Sequence, residues 1–335
     1  MITQMANTPR LAELKIELTQ ECPLSCIHCS TRSNRFTRNL LQSDVVVRLL
    51  HEARKMGAKK VAFSGGEPLV YPELDEVLRS ACSLQFSTSL YTTGIKNNSL
   101  DPLNSEDASG LVAAGLGRVI FSIYAGSAEV HDSVTGFHSY ESTISAIKAC
   151  IQAGLCVEFH FVPIRRNYSE LARIIRLAEG LGVRTVSVLR FVAQGRGAMI
   201  RETEDLRAVD YHRLRDSINE LMTGHGAQVR LGAPMNILGL GHTCCDAAQS
   251  VVLVDYRGQV RPCDAFKGTD YPDHVYGSIL GKPLQTAWVR SRYLNAARLL
   301  RAERGNGRRS CPTDCLAQEA IREGGLHNLT RLPSR

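Results

Sequence analysis

Three cysteines within eight positions, Cys22, Cys26 and Cys29, have the spacing of metal ligands. Each iron of a cubane iron–sulfur cluster needs a ligand from outside the cluster, so three thiolates leave one iron with an open coordination position. Catalytic metal sites keep such a vacancy, whereas structural sites close it. Spacing alone leaves two other interpretations open: a further ligand from elsewhere in the chain, or three buried cysteines that bind no metal.

A glycine pair in the stretch SGGEP, residues 64–68, is the second feature that could serve a ligand. Gly65 and Gly66 have no Cβ, so their backbone can approach a bound group closely and can adopt positive φ angles. The competing interpretation is an ordinary tight turn after a strand.

The elements that must position these residues alternate between strands and helices. Six segments rich in β-branched residues are interleaved with segments of helical periodicity. This alternation predicts right-handed parallel βαβ units, and therefore an α/β fold with a partial (β/α)6 barrel. The cysteines follow the first strand and SGGEP follows the second, at the carboxyl-terminal rim where such barrels bind ligands. The predicted strands are LAELKIEL (11–18), KKVAFSGG (59–66), FSTSLYTTG (86–94), GRVIFSIYAG (117–126), CVEFHFVP (156–163) and RTVSVLRFV (184–192), with helices near 42–56, 73–82, 105–114, 140–153 and 168–182.

Over residues 11–192 the chain resembles the radical S-adenosylmethionine (SAM) enzymes. The resemblance rests on C-x3-C-x2-C, with His28 before its last cysteine, and on SGGEP after the second strand. It implies that the amino and carboxylate groups of SAM complete the open iron of a [4Fe–4S] cluster. It also implies an external reductant, such as flavodoxin or ferredoxin, that drives cleavage of SAM to methionine and a 5′-deoxyadenosyl radical. The residues that the resemblance assigns to SAM are Gly65, Gly66, Glu67 and Ser122.

A second set of cysteines lies further along the chain. Cys245, Cys263, Cys311 and Cys315 resemble the ligands of the auxiliary-cluster region called SPASM when it holds two clusters and twitch when it holds one. They imply one auxiliary [4Fe–4S] cluster; a closed zinc site is the alternative. Cys245 is preferred to Cys244 as the ligand, because adjacent side chains of an extended segment point in opposite directions. Cys244 is then either a packed cysteine or a hydrogen-atom donor to a substrate radical.

The sequence pattern changes near residue 200. We therefore predict a radical SAM core over residues 1–200 and a small α+β twitch/SPASM-like domain over residues 201–335. The stretch VVLVDYRGQVRPC (251–263) predicts a β-hairpin with its turn at Arg257–Gly258. One long helix is predicted over PLQTAWVRSRYLNAARLLRAE (283–303). Three further cysteines are expected to be buried in the core: Cys82, Cys150 and Cys156.

The composition is that of a globular chain of 335 residues, 44% hydrophobic and 22% charged, with a formal net charge of +7. No apolar run approaches the length of a membrane span, and the first ten residues lack the apolar core of a signal peptide. We therefore expect a cytoplasmic protein, where eleven cysteines favour metal ligation over disulfides. The basic residues are scattered, so neither nucleic acid nor a membrane is an expected partner.

Residues near the predicted mouth of the barrel are candidates for contact with a substrate. Arg190 and Arg196, in RFVAQGRG after the sixth strand, are candidates to bind a carboxylate; Arg190 could equally pair with a neighbouring acid. Glu158 and His160 alternate on the fifth strand and are candidate proton-transfer groups if they face the lumen. Otherwise they are ordinary polar rim residues.

The expected function is hydrogen abstraction from a small sugar, sugar acid, cyclitol or nucleoside in secondary, antibiotic-type metabolism. Decarboxylation, dehydrogenation and epimerisation are the expected outcomes, so the lyase and oxidoreductase classes both stay open. The alternative is a peptide-modifying maturase of ribosomally made peptides, which often carries an N-terminal leader-binding domain. Only about ten residues precede the first predicted strand, which favours the small molecule. A non-catalytic iron–sulfur carrier would need neither an open iron nor SGGEP.

Overall fold

The computed structural model describes residues 9–222, 226–232, 235–240, 244–267, 275–304 and 315–322. Within these residues, nine strands form one sheet: β1 (Glu13–Thr19), β2 (Lys60–Gly65), β3 (Ser87–Thr92), β4 (Arg118–Ser122), β5 (Cys156–Phe161), β6 (Thr185–Val188), β7 (Gln228–Leu231), β8 (Val251–Val254) and β9 (Val260–Arg261). Their order across the sheet is β7-β6-β5-β4-β3-β2-β1-β8-β9. Neighbouring strands pair in parallel, apart from β8 and β9, which pair antiparallel.

Strands β1 to β6 and the helices between them form the predicted partial barrel, so the expected fold class is confirmed. The helices are α1 (Ser43–Lys55), α2 (Leu74–Ser83), α3 (Ser105–Ala113), α4 (Ala128–Thr135), α5 (Tyr140–Gln152), α6 (Leu171–Leu181), α7 (Arg201–Glu204), α8 (Ala208–Met222), α9 (Leu284–Arg290), α10 (Arg292–Arg304) and α11 (Leu316–Arg322). Sequence reasoning missed α4, because its 8 residues are too few for a helical period to stand out. None of the described helices is long and apolar enough to cross a membrane.

The first strand shows why this sheet has one apolar face and one polar face. Leu14, Ile16 and Leu18 are fully buried in the main hydrophobic core. Lys15 and Glu17 alternate with them and therefore lie on the opposite face, toward the inside of the barrel. When apolar layers cover both faces of a parallel sheet, the sequence of each strand is a nearly continuous run of hydrophobic residues. The alternation in β1 thus indicates a polar interior.

Strands from the later part of the chain extend both edges of this sheet. β7 pairs with β6 at one edge, and β8 pairs with β1 at the other. The predicted hairpin is formed by β8 and β9, and its turn uses Gly258 at a φ of +73°. Both predicted parts of the chain therefore contribute to one sheet, while a domain division at residue 200 stays a prediction.

Two expectations about local structure were wrong. The single long helix predicted over residues 283–303 is two helices, α9 and α10, because Ser291 leaves the helical conformation at a ψ of 123°. Its Oγ accepts a hydrogen bond from Leu294 N at 3.3 Å, as serine does at a helix start. Of the three cysteines expected in the core, Cys150 is buried but Cys82 and Cys156 are exposed.

Candidate active site

The cysteine loop begins where β1 ends and crosses the carboxyl-terminal rim of the barrel. Cys22 N–H donates to Asn34 O at 3.2 Å, and Cys29 N–H donates to Cys26 O at 3.1 Å. Further backbone hydrogen bonds join the middle of the loop to the end of α4. All three cysteines line a cavity of about 630 Å³. The loop thus holds its thiols at the inner wall of the barrel.

The thiols of Cys22 and Cys26 are buried and lie close to other cysteines, and both features raise their pKa. Burial, and then the neighbouring Cys29, raises the pKa of Cys26 to about 12. Burial and Cys26 raise the pKa of Cys22 well above its ordinary value. The guanidinium of Arg196 acts in the other direction on the pKa of Cys26. Thiolates packed in this way need positive charge among them, which a metal centre supplies.

Three cysteine ligands match the need of a cubane cluster. Each iron of such a cluster takes one ligand from outside the cluster, so three thiolates hold three of the four irons. Cys22, Cys26 and Cys29 are therefore suited to a [4Fe–4S] cluster with one open iron.

The glycine pair of SGGEP lies against the backbone that leads into Cys22. A Cβ on Gly66 would lie 2.1 Å from the Glu21 carbonyl oxygen. A Cβ on Gly65, where φ is +138°, would lie 2.4 Å from the Thr19 carbonyl oxygen. Gly66 N–H donates to that same Thr19 oxygen at 2.6 Å. The missing side chains let the two loops join directly, which an ordinary turn would not require.

Glu67 supports the end of β3 from a buried position. Its side chain is fully buried. The carboxylate accepts hydrogen bonds from Thr92 Oγ1 at 2.5 Å, from Thr93 Oγ1 at 2.6 Å, from Thr93 N at 2.7 Å and from Leu69 N at 3.1 Å. The sequence assigned Glu67 to SAM, but the cavity wall contains Gly65 and Gly66 without it. These contacts make Glu67 a positioning residue.

Replacing Glu67 with alanine is expected to lower the free energy of unfolding by about 2–4 kcal/mol, because several buried donors lose their shared acceptor. SAM affinity should fall as well, since the glycine pair next to Glu67 loses its support. Chemical denaturation of the anaerobic protein measures the first effect, and equilibrium dialysis with labelled SAM measures the second. Glu67→Gln keeps one acceptor oxygen, so its stability and its SAM affinity should lie between those of the wild type and those of Glu67→Ala. Exposed Glu106→Ala is the control, and wild-type behaviour of Glu67→Ala would contradict the expectation.

Ser122, Tyr124 and His28 form the wall next to the cysteines. Ser122, Tyr124 and Cys26 all line this part of the cavity. His28 packs edge-on against Tyr124 with ring centroids 4.6 Å apart. Burial lowers the pKa of His28 to about 4, so its ring is neutral at physiological pH. Two buried atoms, Ser64 Oγ and His28 Nδ1, have no hydrogen-bond partner among the described residues, which indicates a polar ligand here.

The segment after β6 covers the cysteine loop. Arg196 donates from its backbone N–H to Cys29 O and from Nε to Cys26 O, each at 2.9 Å. A Cβ on Gly195, where φ is +59°, would lie 2.5 Å from the Cys29 carbonyl oxygen. The sequence suggested Arg196 as a substrate-binding residue. Its observed contacts hold the cysteine loop, and contact with a substrate stays a prediction because Arg196 also lines the cavity.

The second cysteine group opens into the same cavity. Cys245, Cys263 and Cys315 all line its wall. Burial raises the pKa of Cys245 to about 11, and burial together with Cys245 and Cys315 raises that of Cys263 well above its ordinary value. Cys311, the fourth predicted ligand, lies outside the described residues. Cys244 is exposed and is not part of the cavity wall, so its geometry gives no support to hydrogen-atom donation.

Arginine side chains lie around this second group. Arg190 and Arg322 act to lower the pKa of Cys315, against the larger effect of burial. Arg301 acts in the same direction on the pKa of Cys245. Positive charge of this kind favours thiolate ligands. Arg190 also lines the cavity, so contact with a substrate stays a prediction for this residue.

A network of charges lies between the two cysteine groups. Lys15 Nζ lies 2.6 Å from Asp264 Oδ2, and Lys267 Nζ lies 2.5 Å from Glu17 Oε1. Although burial acts to raise it, Lys15 and Lys267 hold the pKa of Asp264 down to about 2. Asp264 directly follows the predicted ligand Cys263. The network therefore fastens the second cysteine group to β1.

Glu158 and His160 have different surroundings, although they share one face of β5. His160 lines the cavity, and its ring centroid lies 5.4 Å from that of Tyr91. Burial, followed by Lys15, lowers the pKa of His160 to about 3, so the ring is neutral. Glu158 forms ion pairs with arginines of β4 and β7 at 3.2 and 3.1 Å and is not part of the cavity wall. Of the two candidates, the structure brings only His160 to the cavity.

Sequence reasoning missed most of the polar inner wall. One signal was available, because Lys15 and Glu17 alternate with apolar residues in a strand that must be central. Asp264 gave no comparable signal, since it reaches the wall only through the pairing of β8 with β1. The missed residues are Lys15, Tyr91, Ser187, Arg230 and Asp264.

The fold and the cysteine loop together define the class of this protein. Residues 16–178 match the family model described as the radical SAM superfamily. The chain therefore contains a radical SAM domain over these residues. This domain implies a [4Fe–4S] cluster and SAM as cofactors, in agreement with the cysteine loop and the partnerless polar atoms beside it.

Two named proteins are similar in sequence to this chain. The probable GTP 3′,8-cyclase of Saccharolobus solfataricus is 29% identical over 231 residues, which cover 68% of this chain and 73% of that protein. The AdoMet-dependent heme synthase of Methanosarcina barkeri is 30% identical over 212 residues, which cover 63% of this chain and 58% of that protein.

Solved structures extend the similarity in fold beyond the matched domain. Streptococcus suis SuiB bound to the precursor peptide SuiA has a TM-score of 0.78 at 17% identity, and the match covers 97% of this chain and 76% of that one. Native anSMEcpe with bound AdoMet has a TM-score of 0.64 at 15% identity, with 85% and 82% covered. At these identities the likeness concerns the fold alone. It includes the region of the second cysteine group.

Proposed function

We propose that this radical SAM enzyme abstracts hydrogen from a small polar molecule bound between its two cysteine groups. The observation that carries the proposal is one cavity of about 630 Å³ that both groups line, together with hydroxyl, imidazole and charged side chains. Small-molecule sites have volumes of roughly 300–1,000 Å³. Sugars, sugar acids, cyclitols and nucleosides offer hydroxyl groups that suit such a wall.

The chain's own part in the reaction is to hold one C–H bond in reach and to exclude water. When bound, the cluster and SAM supply a 5′-deoxyadenosyl radical, and an auxiliary cluster supplies an electron acceptor. Tyr91 and neutral His160 can each donate a hydrogen bond to a substrate hydroxyl or accept one from it. Lys15 and Asp264 add a fixed donor and a fixed acceptor beside them.

We also assign the second cysteine group to one auxiliary cluster in a twitch/SPASM-like unit over residues 201–335. Cys245, Cys263 and Cys315 are the described ligands of this assignment, and Cys311 is the fourth. The assignment favours an outcome that removes electrons from the substrate, which is dehydrogenation or oxidative decarboxylation. Epimerisation has less support, because exposed Cys244 lies away from the cavity wall.

Two comparisons bear on the substrate in opposite ways. A relative that is named a probable GTP 3′,8-cyclase favours a small molecule. The likeness to SuiB, which was solved with a precursor peptide, favours the alternative of a peptide-modifying maturase. The hydroxyl, imidazole and charged side chains that line the cavity support the small molecule in this proposal.

The test is anaerobic incubation of the reconstituted protein with SAM, dithionite and panels of sugar acids, cyclitols, nucleosides and nucleotides. Formation of 5′-deoxyadenosine is followed, and substrates deuterated at one carbon identify the bond that is broken. We expect deuterium in 5′-deoxyadenosine from a small molecule, and none with Cys26→Ala. Deuterium transfer from a peptide alone, or intact SAM under dithionite, would overturn the proposal.

A matched pair of variants connects this result to the cavity wall. Tyr91→Phe removes one hydroxyl and should raise KM for the substrate about 3- to 10-fold, the equivalent of one neutral hydrogen bond. Iron content and SAM binding should stay as in the wild type. Tyr256→Phe is the control, because Tyr256 is not part of the cavity wall. If Tyr91→Phe and Tyr256→Phe changed KM equally, Tyr91 would not be a substrate-binding residue.

A further inference from the structure

The segment that follows the last cysteine of the loop forms an exposed basic surface. From Ser30 to Ser43 the chain carries three arginines and no aspartate or glutamate. Arg32 and Arg38 are exposed. Phe36 between them is 83% exposed, more than any other large apolar side chain among the described residues. We call residues 30–38 the arginine loop.

The arginine loop is tied directly to the metal ligands. Cys29 Sγ lies 3.3 Å from Thr31 Oγ1, which lies 2.6 Å from Ser33 Oγ. The backbone of Asn34 accepts the N–H of Cys22 at 3.2 Å. The exposed arginines and the metal-binding thiols thus belong to one continuous segment of chain. The thiols line the cavity, whereas the side chains of Arg32, Phe36 and Arg38 face solvent. An electron that enters here has a short path to the three-cysteine site.

Internal contacts hold the loop in one shape. Arg35 donates from Nη2 to Pro23 O at 3.1 Å, and its guanidinium lies 4.2 Å from the ring centroid of Phe137. Phe36 N donates to Asn34 Oδ1 at 2.8 Å. Arg32 has a φ of +55°, a conformation uncommon for a residue other than glycine. The exposed side chains are therefore presented on a fixed backbone, which limits the ordering cost of binding a partner.

We propose that the arginine loop is the docking surface for a small acidic one-electron carrier of the flavodoxin or ferredoxin kind. The proposal rests on the proposed function, because a radical SAM cluster must be reduced before SAM is cleaved. In the step, the reduced carrier loses one electron and the three-cysteine cluster gains it, and no bond is formed or broken in the transfer.

The chemistry of the surface matches this class of partner. Exposed arginines attract an acidic protein and speed its encounter, and Phe36 supplies an apolar anchor that buries on contact. Electron-transfer complexes use small interfaces of less than about 1,200 Å². A loop of nine residues with one anchor and flanking charges suits an interface of that size. A nucleic acid would also be attracted by arginines, but it would gain nothing from a position beside Cys29.

The test compares two reductants on the same protein. Arg32→Glu/Phe36→Ala reverses one charge and removes the anchor without touching a residue that holds the cysteine loop. The control is Arg184→Glu, which changes an exposed arginine before β6, at the opposite end of the barrel. Cleavage of SAM is followed with reduced flavodoxin, with reduced ferredoxin and with dithionite, and carrier affinity is measured by calorimetry at low and high salt.

We expect the carrier-driven rate of the double variant to fall about tenfold or more and its carrier affinity to weaken, because charge and anchor are both lost. The dithionite-driven rate, iron content and SAM binding should stay unchanged, and Arg184→Glu should behave as the wild type. Salt should weaken carrier binding in the wild type more than in the variant. An unchanged carrier-driven rate, an equal loss with dithionite, or tighter binding of single-stranded RNA than of either carrier would overturn the proposal. Failure of the proposed function is a different result: wild-type protein that leaves SAM intact under dithionite.

Discussion

Replacing Gly66 with alanine is expected to leave the three-cysteine site without its cluster. The added Cβ would lie 2.1 Å from the Glu21 carbonyl oxygen and 2.7 Å from the Gln20 carbonyl oxygen, and these backbone atoms cannot rotate aside. The loop after β2 must then separate from the segment that leads into Cys22. Iron content should fall by about half, which is the share of one of two cubane clusters. SAM cleavage should fall on the order of 100-fold or more, since the cluster that supplies the electron for cleavage is missing.

Gly110→Ala is the matched control for this prediction. Gly110 lies within α3, and a Cβ there would meet nothing within 4 Å. Alanine at that position should keep the full iron content and add up to about 1 kcal/mol to the free energy of unfolding. Iron analysis and 5′-deoxyadenosine formation under dithionite compare the two variants. A Gly66→Ala protein with full iron and full cleavage would show that the close contact of the two loops is dispensable.

Removing the charge of Glu17 is expected to be the most destabilising single change on the inner wall. The side chain of Glu17 is 1% exposed, and that of its partner Lys267 is 13% exposed. Glu17→Met leaves the ammonium group of Lys267 buried without its nearest counter-charge, which costs about 3–5 kcal/mol for a broken buried pair. The double variant Glu17→Met/Lys267→Met removes both charges and should recover most of that loss.

Chemical denaturation of the anaerobic protein measures these differences in the free energy of unfolding. The exposed pair of Asp75 and Arg79 on α2, whose side chains are 63% and 56% exposed, supplies the control. Asp75→Asn should change the stability little, because solvent screens an exposed ion pair. If Glu17→Met were no more harmful than Asp75→Asn, the buried pair would not contribute to the stability of the wall. If the double variant were as unstable as the single one, packing rather than charge would be responsible.

The order of strands and helices in the barrel could be predicted because each signal is local. Hydrophobic periodicity marks each element, and the handedness of βαβ units then fixes the order of β1 to β6. The same reasoning placed the cysteine loop and SGGEP at one rim. The auxiliary hairpin was also predictable, since Gly258 marks its turn.

The directions of several side chains at the site could not be predicted in this way. Arg196 bonds to Cys26 across 170 positions of sequence, and Glu67 bonds to threonines of the next strand. Such contacts depend on which loops meet in space, and a short motif carries no information about that. The resemblance assigned Glu67 to SAM, and only the structure shows that its carboxylate is bound by Thr92 and Thr93.

The pairing of β1 on both edges has a consequence for how this chain is made. β1 meets β2 early in synthesis, but its other partner, β8, belongs to a region that also brings Asp264 to Lys15 across 249 positions. Until the ribosome has delivered that region, one side of β1 presents bare N–H and C=O groups, a template for pairing with other nascent chains. Pairing of β1 with β8 is slow, because the two strands lie far apart in the sequence. The thiols of the cysteine loop are therefore synthesised long before β8 and Asp264, and the barrel that surrounds them is completed only when that later region has folded onto β1.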